Sequence, residues 1–435
     1  MSRDIGTQGF LTSSISADQA WELVVSLRVY GLALGSILAI VISTYCGRRK
    51  PLIFAMTLEL IGAVMSAFIR WTRFGIYIAF LGRFINGLGS GIVQVTGSAM
   101  TAEVPAARHR GTVLATHTIW ACVGEFFGAF ISMDFALGNE RYWPIALAIP
   151  AALIPLCIIC LWSSAESPRY LVSRNQIEEA KKALLYYQIN DDYDATMTDM
   201  LSEVRLPSNQ IKSDLTWLGP IKEQIKRFKE SSFIRPLLVA IFTQNFVHLN
   251  DWLWILYSTQ VFIKSGLPPV TAQTASMLMT VPQSLVSITV GIYFDNFSRR
   301  ALLIAPTIAS IFCGLLAVTR IRHGKNSRIP LLSSSWSLPV IATVDLCLAA
   351  IASESAYTVT PELFLQVDRA VGTAIVTFVQ NVFGGILSNL QLTVINEYGA
   401  EYVLITFAVV NVFYVIGVLR ILPETAHKTF QVLNL

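Results

Sequence analysis

The sequence is dominated by long apolar runs separated by short polar loops. An α-helix rises about 1.5 Å per residue, so it needs about 20 mainly apolar residues to cross the hydrocarbon core of a bilayer. Eleven runs approach that length. They cover residues 21–45, 51–71, 76–100, 112–135, 145–162, 236–262, 271–294, 301–318, 338–361, 371–394 and 403–422. This pattern predicts an all-α, multi-pass (polytopic) membrane protein.

The composition excludes an ordinary soluble enzyme. Hydrophobic residues make up 54% of the chain and charged residues 14%, whereas soluble domains contain about 25% charged residues. The net charge of +4 is small and lies in loops, which gives no reason to expect a nucleic-acid partner. Motifs of hydrolases, zinc proteases and nucleotide-binding loops are missing from the sequence. We therefore expect no catalytic residue, cofactor or metal, and the lipid bilayer as the main surroundings.

A polar stretch divides the apolar runs into two groups. Residues 163–233 are rich in charge and are predicted to form a cytoplasmic, partly helical linker. The predicted domains are 1–162, 163–233 and 234–435. Lys and Arg concentrate in alternate loops, as they do on the cytoplasmic side of membrane proteins. With eleven spans, this predicts an N-terminus outside and a C-terminus inside, although the loop 319–330 is basic and falls outside in the same scheme.

Charged loop motifs occur twice, in the same order and at nearly the same separation. The first set precedes the linker and the second set follows it. The pairs are Gly47-Arg48-Arg49 with Ser298-Arg299-Arg300, Glu103 and Arg110 with Glu362 and Arg369, and Glu166 with Glu424. Such a repeat is typical of two related halves around a central substrate path, as in major facilitator transporters.

Together with other motifs in the expected order, these residues resemble the sugar porter family of the major facilitator superfamily, most closely its fungal hexose and oligosaccharide members. The other motifs are Gly82-Arg83 followed by Gly87, Gly89 and Gly91, then Ser167-Pro168-Arg169, Asp295, Pro361-Glu362-Leu363-Phe364 and Pro423-Glu424-Thr425. The resemblance implies a major facilitator fold with two pseudo-repeated six-helix halves. About eleven complete transmembrane helices are expected in this chain.

In the family, charged residues at the helix ends form a cluster that latches the outward-open state. The resemblance assigns this gating role to Gly47, Arg48, Arg49, Glu103, Arg110, Glu166, Arg169, Asp295, Arg299, Arg300, Glu362 and Arg369. The first loop departs from the family pattern, because Thr44 stands where the family has an aspartate. Asp295 keeps the acid in the second copy. We therefore expect a weaker latch in the first half.

Polar residues within the apolar runs are candidates for substrate contact, because polar side chains inside a membrane are costly and mark functional sites. The candidates are Gln244, Asn245, Asn250, Thr118, Gln283 and Tyr357. The resemblance assigns sugar contacts to the first three, whose amides can donate to and accept from neighbouring hydroxyls. Thr118 and Tyr357 replace a Gln and a Trp of the family. The alternative is that these side chains join helix to helix.

Proton-coupled members of the family pair an aspartate of the first helix with an arginine of the fourth. The matching residues here are Asp4 and Arg83. The resemblance implies proton coupling through this pair. The family's first helix begins well before its aspartate, so about half a helix is expected to be missing here, and coupling is expected to be lost with it.

The predicted function is secondary active or facilitative transport of a sugar or sugar-like polyol by alternating access. The partners expected are this small-molecule substrate and protons, and the expected location is the plasma membrane. Two alternatives stay open. The substrate is another small organic molecule, such as a quinate-like acid or a secondary metabolite, or the chain is a transporter-like sensor or degenerate product that does not transport.

Overall fold

A computed structural model describes residues 17–69, 75–105, 110–139, 141–187, 196–198, 200–201, 231–323, 334–364 and 366–422. Every regular element in these ranges is an α-helix, apart from the 3-10 helix Phe294–Asn296. The predicted all-α class is therefore confirmed. Asp4 lies outside the described residues, as does Glu424.

The helices before the linker form the first half. They are α1 (Ala17–Cys46), α2 (Arg49–Ala67), α3 (Gly75–Glu103), α4 (Arg110–Ile131), α5 (Trp143–Ala148) and α6 (Pro150–Ser163). Two short helices follow in the linker, α7 (Pro168–Ser173) and α8 (Ile177–Tyr187). Buried side chains of this region, including Leu171, Leu184 and Met200, pack into a small core of their own.

The second half contains the remaining helices. They are α9 (Ser231–Val247), α10 (Leu249–Lys264), α11 (Pro269–Leu278), α12 (Thr280–Ile292), α13 (Arg299–His323), α14 (Ser337–Glu362), α15 (Gln366–Glu397) and α16 (Ala400–Ile421). Two apolar cores hold this half together, one around Trp254 and Phe262 and the other around Phe364 and Tyr414.

Ten helical segments of the described residues are long and apolar enough to cross a membrane. The predicted run 236–262 is not one of them. In this run, α9 ends at Val247 and α10 begins at Leu249. Between them, His248 has ψ of 5°, far from the value of about −42° in an α-helix. Two consecutive helices therefore cover the predicted run 236–262, and two consecutive helices also cover each of the predicted runs 145–162 and 271–294.

The outer surface of the helices is apolar. On α6, for example, Leu153, Leu156, Ile159 and Trp162 are between 62% and 68% exposed. A face of this size on a soluble protein would drive association, whereas the hydrocarbon core of a bilayer solvates it. Together with the apolar segments, it identifies the chain as an integral, multi-pass membrane protein.

Helices α1 and α3 approach each other backbone to backbone through glycines. A Cβ atom added at Gly35 would lie 2.2 Å from the Leu88 carbonyl oxygen, and one added at Gly91 would lie 2.2 Å from that of Leu32. At Gly87 the separation would be 2.1 Å from the Arg28 carbonyl oxygen. Small residues spaced in this way allow membrane helices to pack without intervening side chains. The glycines therefore fix α1 against α3.

Several pairs of helices join the two halves. Helix α1 packs on α15, and helix α4 packs on α12 and α14. The end of the bundle at which α7 and α8 attach is called the linker side below. The first half and the second half thus enclose a central space, which is the place expected for a transported molecule.

The basic loop after α13 has a structural explanation in part. The side chain of Arg320 is 2% exposed and donates to Ser337 Oγ at 2.7 Å, at the start of α14. The Arg322 guanidinium lies 5.9 Å from the centre of the Tyr402 ring. These two arginines hold helix ends together. They are therefore left out when loops are assigned to the cytoplasmic side by their Lys and Arg content.

Candidate substrate site and linker-side ion pairs

A cavity lies between the halves and receives side chains from both. It is lined by Gln94 and Ser98 on α3, Leu114 and His117 on α4, Gln244 on α9, Tyr357 and Thr360 on α14, and Thr373, Val376 and Thr377 on α15. The centre of a water molecule has about 20 Å³ to move in. That volume accommodates about one water molecule. In this conformation the cavity is therefore too small for a sugar ring.

Amides and hydroxyls form a chain along the second-half wall of the cavity. Thr360 Oγ1 donates to Gln244 Oε1 at 2.9 Å, and Gln244 Nε2 donates to Gln380 Oε1 at 3.4 Å. Gln380 Nε2 then donates to the Tyr357 hydroxyl at 3.0 Å. Each of these groups both donates and accepts hydrogen bonds, so a ligand hydroxyl can replace any link.

Two histidines flank the ring of Tyr357. His117 of the first half and His248 of the second half lie with ring centres 5.8 Å and 5.2 Å from that of Tyr357. His248 also stacks on Trp252. The sequence reasoning missed His117, Gln94 and Gln380 as site residues. The signal was available, since each is a polar residue inside an apolar run.

The structure brings some of the predicted substrate residues together and leaves others apart. Gln244 and Tyr357 line the cavity. Thr118 and Asn245 are buried next to lining residues, and each has a side-chain oxygen that lacks a partner in the described part of the chain. Gln283 instead bridges the halves, because its Nε2 donates to Glu125 Oε2 at 2.9 Å. The side chain of Asn250 lies outside the described residues.

In the first half, the predicted gating residues form an ion-pair network on the linker side. Arg48 Nη2 lies 2.8 Å from Glu103 Oε1, and Ser167 Oγ donates to Glu103 Oε2 at 2.6 Å. Glu166 Oε1 accepts from the backbone N–H groups of Arg48 and Arg49. Burial lowers the pKa of Arg48, but Glu103, Glu166 and Tyr170 together outweigh burial and raise the pKa above its ordinary value. The network ties α1, α2, α3 and the linker together.

Gly47 fits this network because of its backbone. Its φ is +88°, and an added Cβ would lie 2.5 Å from Glu166 Oε2. Only glycine adopts such a φ at little cost, so this position is fixed by local geometry.

The second half has a related cluster. Arg299 Nη2 lies 2.8 Å from Asp295 Oδ1 and 3.7 Å from Glu362 Oε1. Arg300 Nη2 donates to the Leu419 carbonyl oxygen. Arg369 and Arg169 are also buried, and Arg369 interacts electrostatically with Glu103 of the first half. The side chain of Arg110 lies outside the described residues.

Asp295 connects the two halves directly. Its Oδ2 accepts from Thr112 N at 3.0 Å and from Thr112 Oγ1 at 2.8 Å, at the beginning of α4. A side chain at Gly111 would collide, because an added Cβ would lie 2.0 Å from Asp295 Oδ1. At the equivalent place in the first half, Thr44 Oγ1 donates to the Ile40 carbonyl oxygen of its own helix. Of these two equivalent positions, only Asp295 in the second half therefore places a carboxylate against the other half.

Replacing Asp295 with asparagine is expected to open the linker side. The substitution removes charge-assisted hydrogen bonds worth about 1.5–3 kcal/mol, so the open population should rise about tenfold. A cysteine introduced at the buried residue Ala115 reports on opening, because Ala115 faces Gly291 across the interface. We expect faster maleimide labelling of that cysteine. The exposed Asp134, replaced with asparagine, is the control, and equal rates in both variants would contradict the prediction.

The pH dependence of this contact has a definite sign. Burial raises the pKa of Asp295, but hydrogen bonds from Arg299 and Thr112 outweigh burial and hold the pKa below its ordinary value. A carboxyl of this kind stabilises the folded contact above its unfolded pKa, about 3.9, and loses that effect as the pH falls through the folded pKa. After correction for the fraction of thiolate, which itself falls with pH, the labelling rate should therefore be constant near neutral pH and rise only in strong acid.

The structure describes one of the two residues of the predicted proton-coupling pair. Arg83 lies half-buried on α3, and its Nε has no hydrogen-bond partner among the described residues. Because Asp4 lies outside those residues, the pairing of Asp4 with Arg83 stays a prediction.

Comparison with known proteins identifies the family. The family model described as "Sugar (and other) transporter" matches residues 5–434. The chain belongs to the sugar transporter family. Its fold is similar to that of the proton:xylose symporter XylE bound to 6-bromo-6-deoxy-D-glucose, with a TM-score of 0.78, 19% identity, and coverage of 98% of this chain and 90% of the other. The major facilitator fold is therefore confirmed.

Several sequence relatives of this sugar transporter family member are glucose transporters by name. Facilitated glucose transporter member 2 of Sus scrofa is 25% identical, over 94% of this chain and 76% of the relative. The glucose transporter GlcP of Staphylococcus epidermidis is 25% identical, over 97% and 90%. Member 2 of Bos taurus is 27% identical over 70% of this chain, and the match spans 58% of that relative's length.

Proposed function

We propose that this chain transports a sugar or a sugar-like polyol by alternating access, with the cavity between its halves as the binding site. The observation that carries the proposal is the chemistry of the cavity wall. Its lining residues are amides, hydroxyls, one histidine and aliphatic side chains, without Asp, Glu, Lys or Arg. A neutral lining that can both donate and accept hydrogen bonds matches a neutral polyhydroxyl ligand.

The arrangement of the helices supports the same proposal. The cavity wall is divided between the halves, so rocking of one half against the other opens it to one side of the membrane at a time. The linker side is held by the Asp295–Thr112 contact and by the buried arginines. Relatives over most of the chain are named as glucose transporters. We place the protein in the plasma membrane, where uptake of a sugar would have its use.

The proposal is tested by uptake of labelled D-glucose and D-xylose into cells that lack their own sugar porters. In Gln244→Ala, a ligand hydroxyl loses a partner in a buried site, which costs about 1–3 kcal/mol, or roughly tenfold or more in affinity. The matched control is Gln260→Ala, because Gln260 is an exposed amide on α10. Gln260→Ala should behave like the unmodified protein.

Two outcomes would count against the proposal. If the unmodified protein takes up neither sugar and binds neither sugar, the substrate is of another class or the chain does not transport. If Gln244→Ala and Gln260→Ala have the same apparent affinity, the amide chain joins helices and does not contact the sugar.

A further inference from the structure

Glu354 is a buried acid that the proposed sugar site does not use. It lies in the second-half helix α14, and its side chain is 0% exposed. Its Oε1 accepts a hydrogen bond from Ser287 Oγ on α12. Its Oε2 is buried as well and has no hydrogen-bond partner among the described residues. Among the described residues, the Ser287 hydroxyl is thus the one hydrogen-bond partner of the Glu354 carboxyl group.

The charged groups around α14 do not neutralise this acid. Helix α12 contains no ionisable residue between Thr280 and Ile292. Asp345 and Glu362 lie on α14 itself. The charged residues and histidines on the other packed elements or at their junction are, in chain order, Arg83, Glu103, His117, Glu125, Arg235, His248, Lys264, Arg299, Arg300, Arg320, Arg322, His323, Asp368, Arg369 and Glu397. The side chains of Arg110 and Asp251 lie outside the described residues. Of these, Arg299 is bonded to the residue that follows Glu354, because its carbonyl oxygen accepts from Ser355 Oγ.

The guanidinium of Arg299 is directed elsewhere, to Asp295, Glu362 and the carbonyl oxygen of Phe294. No ion pair joins Glu354 to a cation in the part of the chain that the structure describes. A carboxylate without a counter-charge in a membrane interior costs several kcal/mol. The protonated, neutral acid avoids that cost, so these surroundings favour Glu354 with its proton.

The position of Ser287 relates this acid to the movement of the halves. Gln283, Ser287 and Gly291 are spaced four residues apart, so they lie on one face of α12. That face contacts the first half, because Gln283 donates to Glu125 and an added Cβ at Gly291 would lie 2.4 Å from Ile119 Cδ1. Helix α4 also packs on α14. Separation of α4 from the second half would therefore make Glu354 and Ser287 accessible to water.

We propose that Glu354 is a proton-binding site that makes closure of the two halves depend on protonation. In the open state, a proton from water forms the O–H bond at Glu354, and the neutral acid is then buried between α12 and α14 on closing. When the halves open again, the O–H bond breaks and the proton returns to water. The ionised acid opposes closure, so closing slows as the pH rises. This site is separate from the predicted Asp4–Arg83 pair.

The first experiment needs no substrate. Purified protein is studied by infrared spectroscopy at neutral pH, where an ordinary glutamic acid, with a pKa of about 4.3, is ionised. We expect the carbonyl band of a protonated carboxylic acid in the unmodified protein and its loss in Glu354→Gln. Ser287→Ala should shift the band, since the hydroxyl contacts the acid. Asp345→Asn is the matched control, because Asp345 is a buried acid of the same helix that has two donors, Trp254 and Ser310.

The second experiment rests on the proposed transport function. Exchange of labelled D-glucose is measured with equal sugar concentration and equal pH on both sides of the membrane. Exchange by the unmodified protein should fall about tenfold or more as the pH is raised over the range in which the open-state acid ionises, whereas Glu354→Gln, neutral at every pH, should be insensitive to pH. Glu354→Gln should also keep a normal unfolding temperature.

The two experiments separate the two proposals. A protonated-acid band that persists unchanged in Glu354→Gln would overturn the proton site, and so would a pH profile shared by both proteins. If the unmodified protein exchanges neither D-glucose nor D-xylose, the sugar proposal fails, and the infrared band still decides whether Glu354 holds a proton.

Discussion

Glu103→Gln is expected to destabilise the protein by about 3–5 kcal/mol, the cost of removing one partner from a buried ion pair. Glu103 is 2% exposed and receives hydrogen bonds from Arg48 and Ser167. Glutamine keeps the shape but removes the charge, so the Arg48 guanidinium stays buried without its counter-ion. The measurement is the free energy of unfolding, or the unfolding temperature, in detergent.

The matched control is Glu178→Gln in the linker. Glu178 also pairs with a cation, Lys181, at 3.0 Å, but its side chain is 81% exposed. Exposed pairs contribute about 0–1 kcal/mol, so this variant should unfold like the unmodified protein. Equal unfolding free energies for the two variants would mean that the Arg48–Glu103 pair is solvated, and the first-half network would lose its proposed role.

Gly87→Val is expected to cost about 3 kcal/mol, at the upper end of the usual range for overpacking. The atom that an added Cβ would meet is the Arg28 carbonyl oxygen at 2.1 Å. A backbone atom cannot rotate away as a side chain can, so α1 must shift as a whole. Such a shift separates α1 from α3 along their shared face. We expect a lower unfolding temperature and a smaller yield of monodisperse protein.

Gly128→Val is the control for this substitution. Gly128 lies on the exposed face of α4, and an added Cβ there meets nothing within 4 Å. The same change in helix propensity then occurs without the collision. If both variants unfold at the same temperature, the approach of α1 to α3 is looser than the backbone positions indicate.

The sequence was sufficient for the architecture because the bilayer imposes a simple rule. Length and apolar composition locate the membrane segments, since every backbone polar group must be satisfied inside a helix. The break at His248 was not predicted, because the run 236–262 is long enough for one span and its polar residues do not show where one helix ends and the next begins. The same limit applies at Pro150, where a predicted single run is divided into α5 and α6.

The gating residues were easier to predict than the substrate residues. Arg48, Glu103 and Arg299 stand in short loop motifs whose spacing is visible in the sequence, and the structure places each in an ion pair. The cavity is assembled from five helices that are distant along the chain, so spacing says little about which amides face it. Gln283 shows the difficulty, because a polar residue inside a span contacts Glu125 between the halves and does not line the cavity.

The glycine contact between α1 and α3 has a mechanical consequence. Helix α1 touches the second half at Gly385, where an added Cβ would lie 3.4 Å from Val29 Cγ1, and α3 carries Gln94 and Ser98 on the cavity wall. Because the two backbones are in direct contact, no layer of side chains can reorient between them and absorb a displacement. The two helices therefore move together as one rigid unit. A displacement of α15 that moves α1 also moves α3, and with it the wall of the cavity, by nearly the same distance.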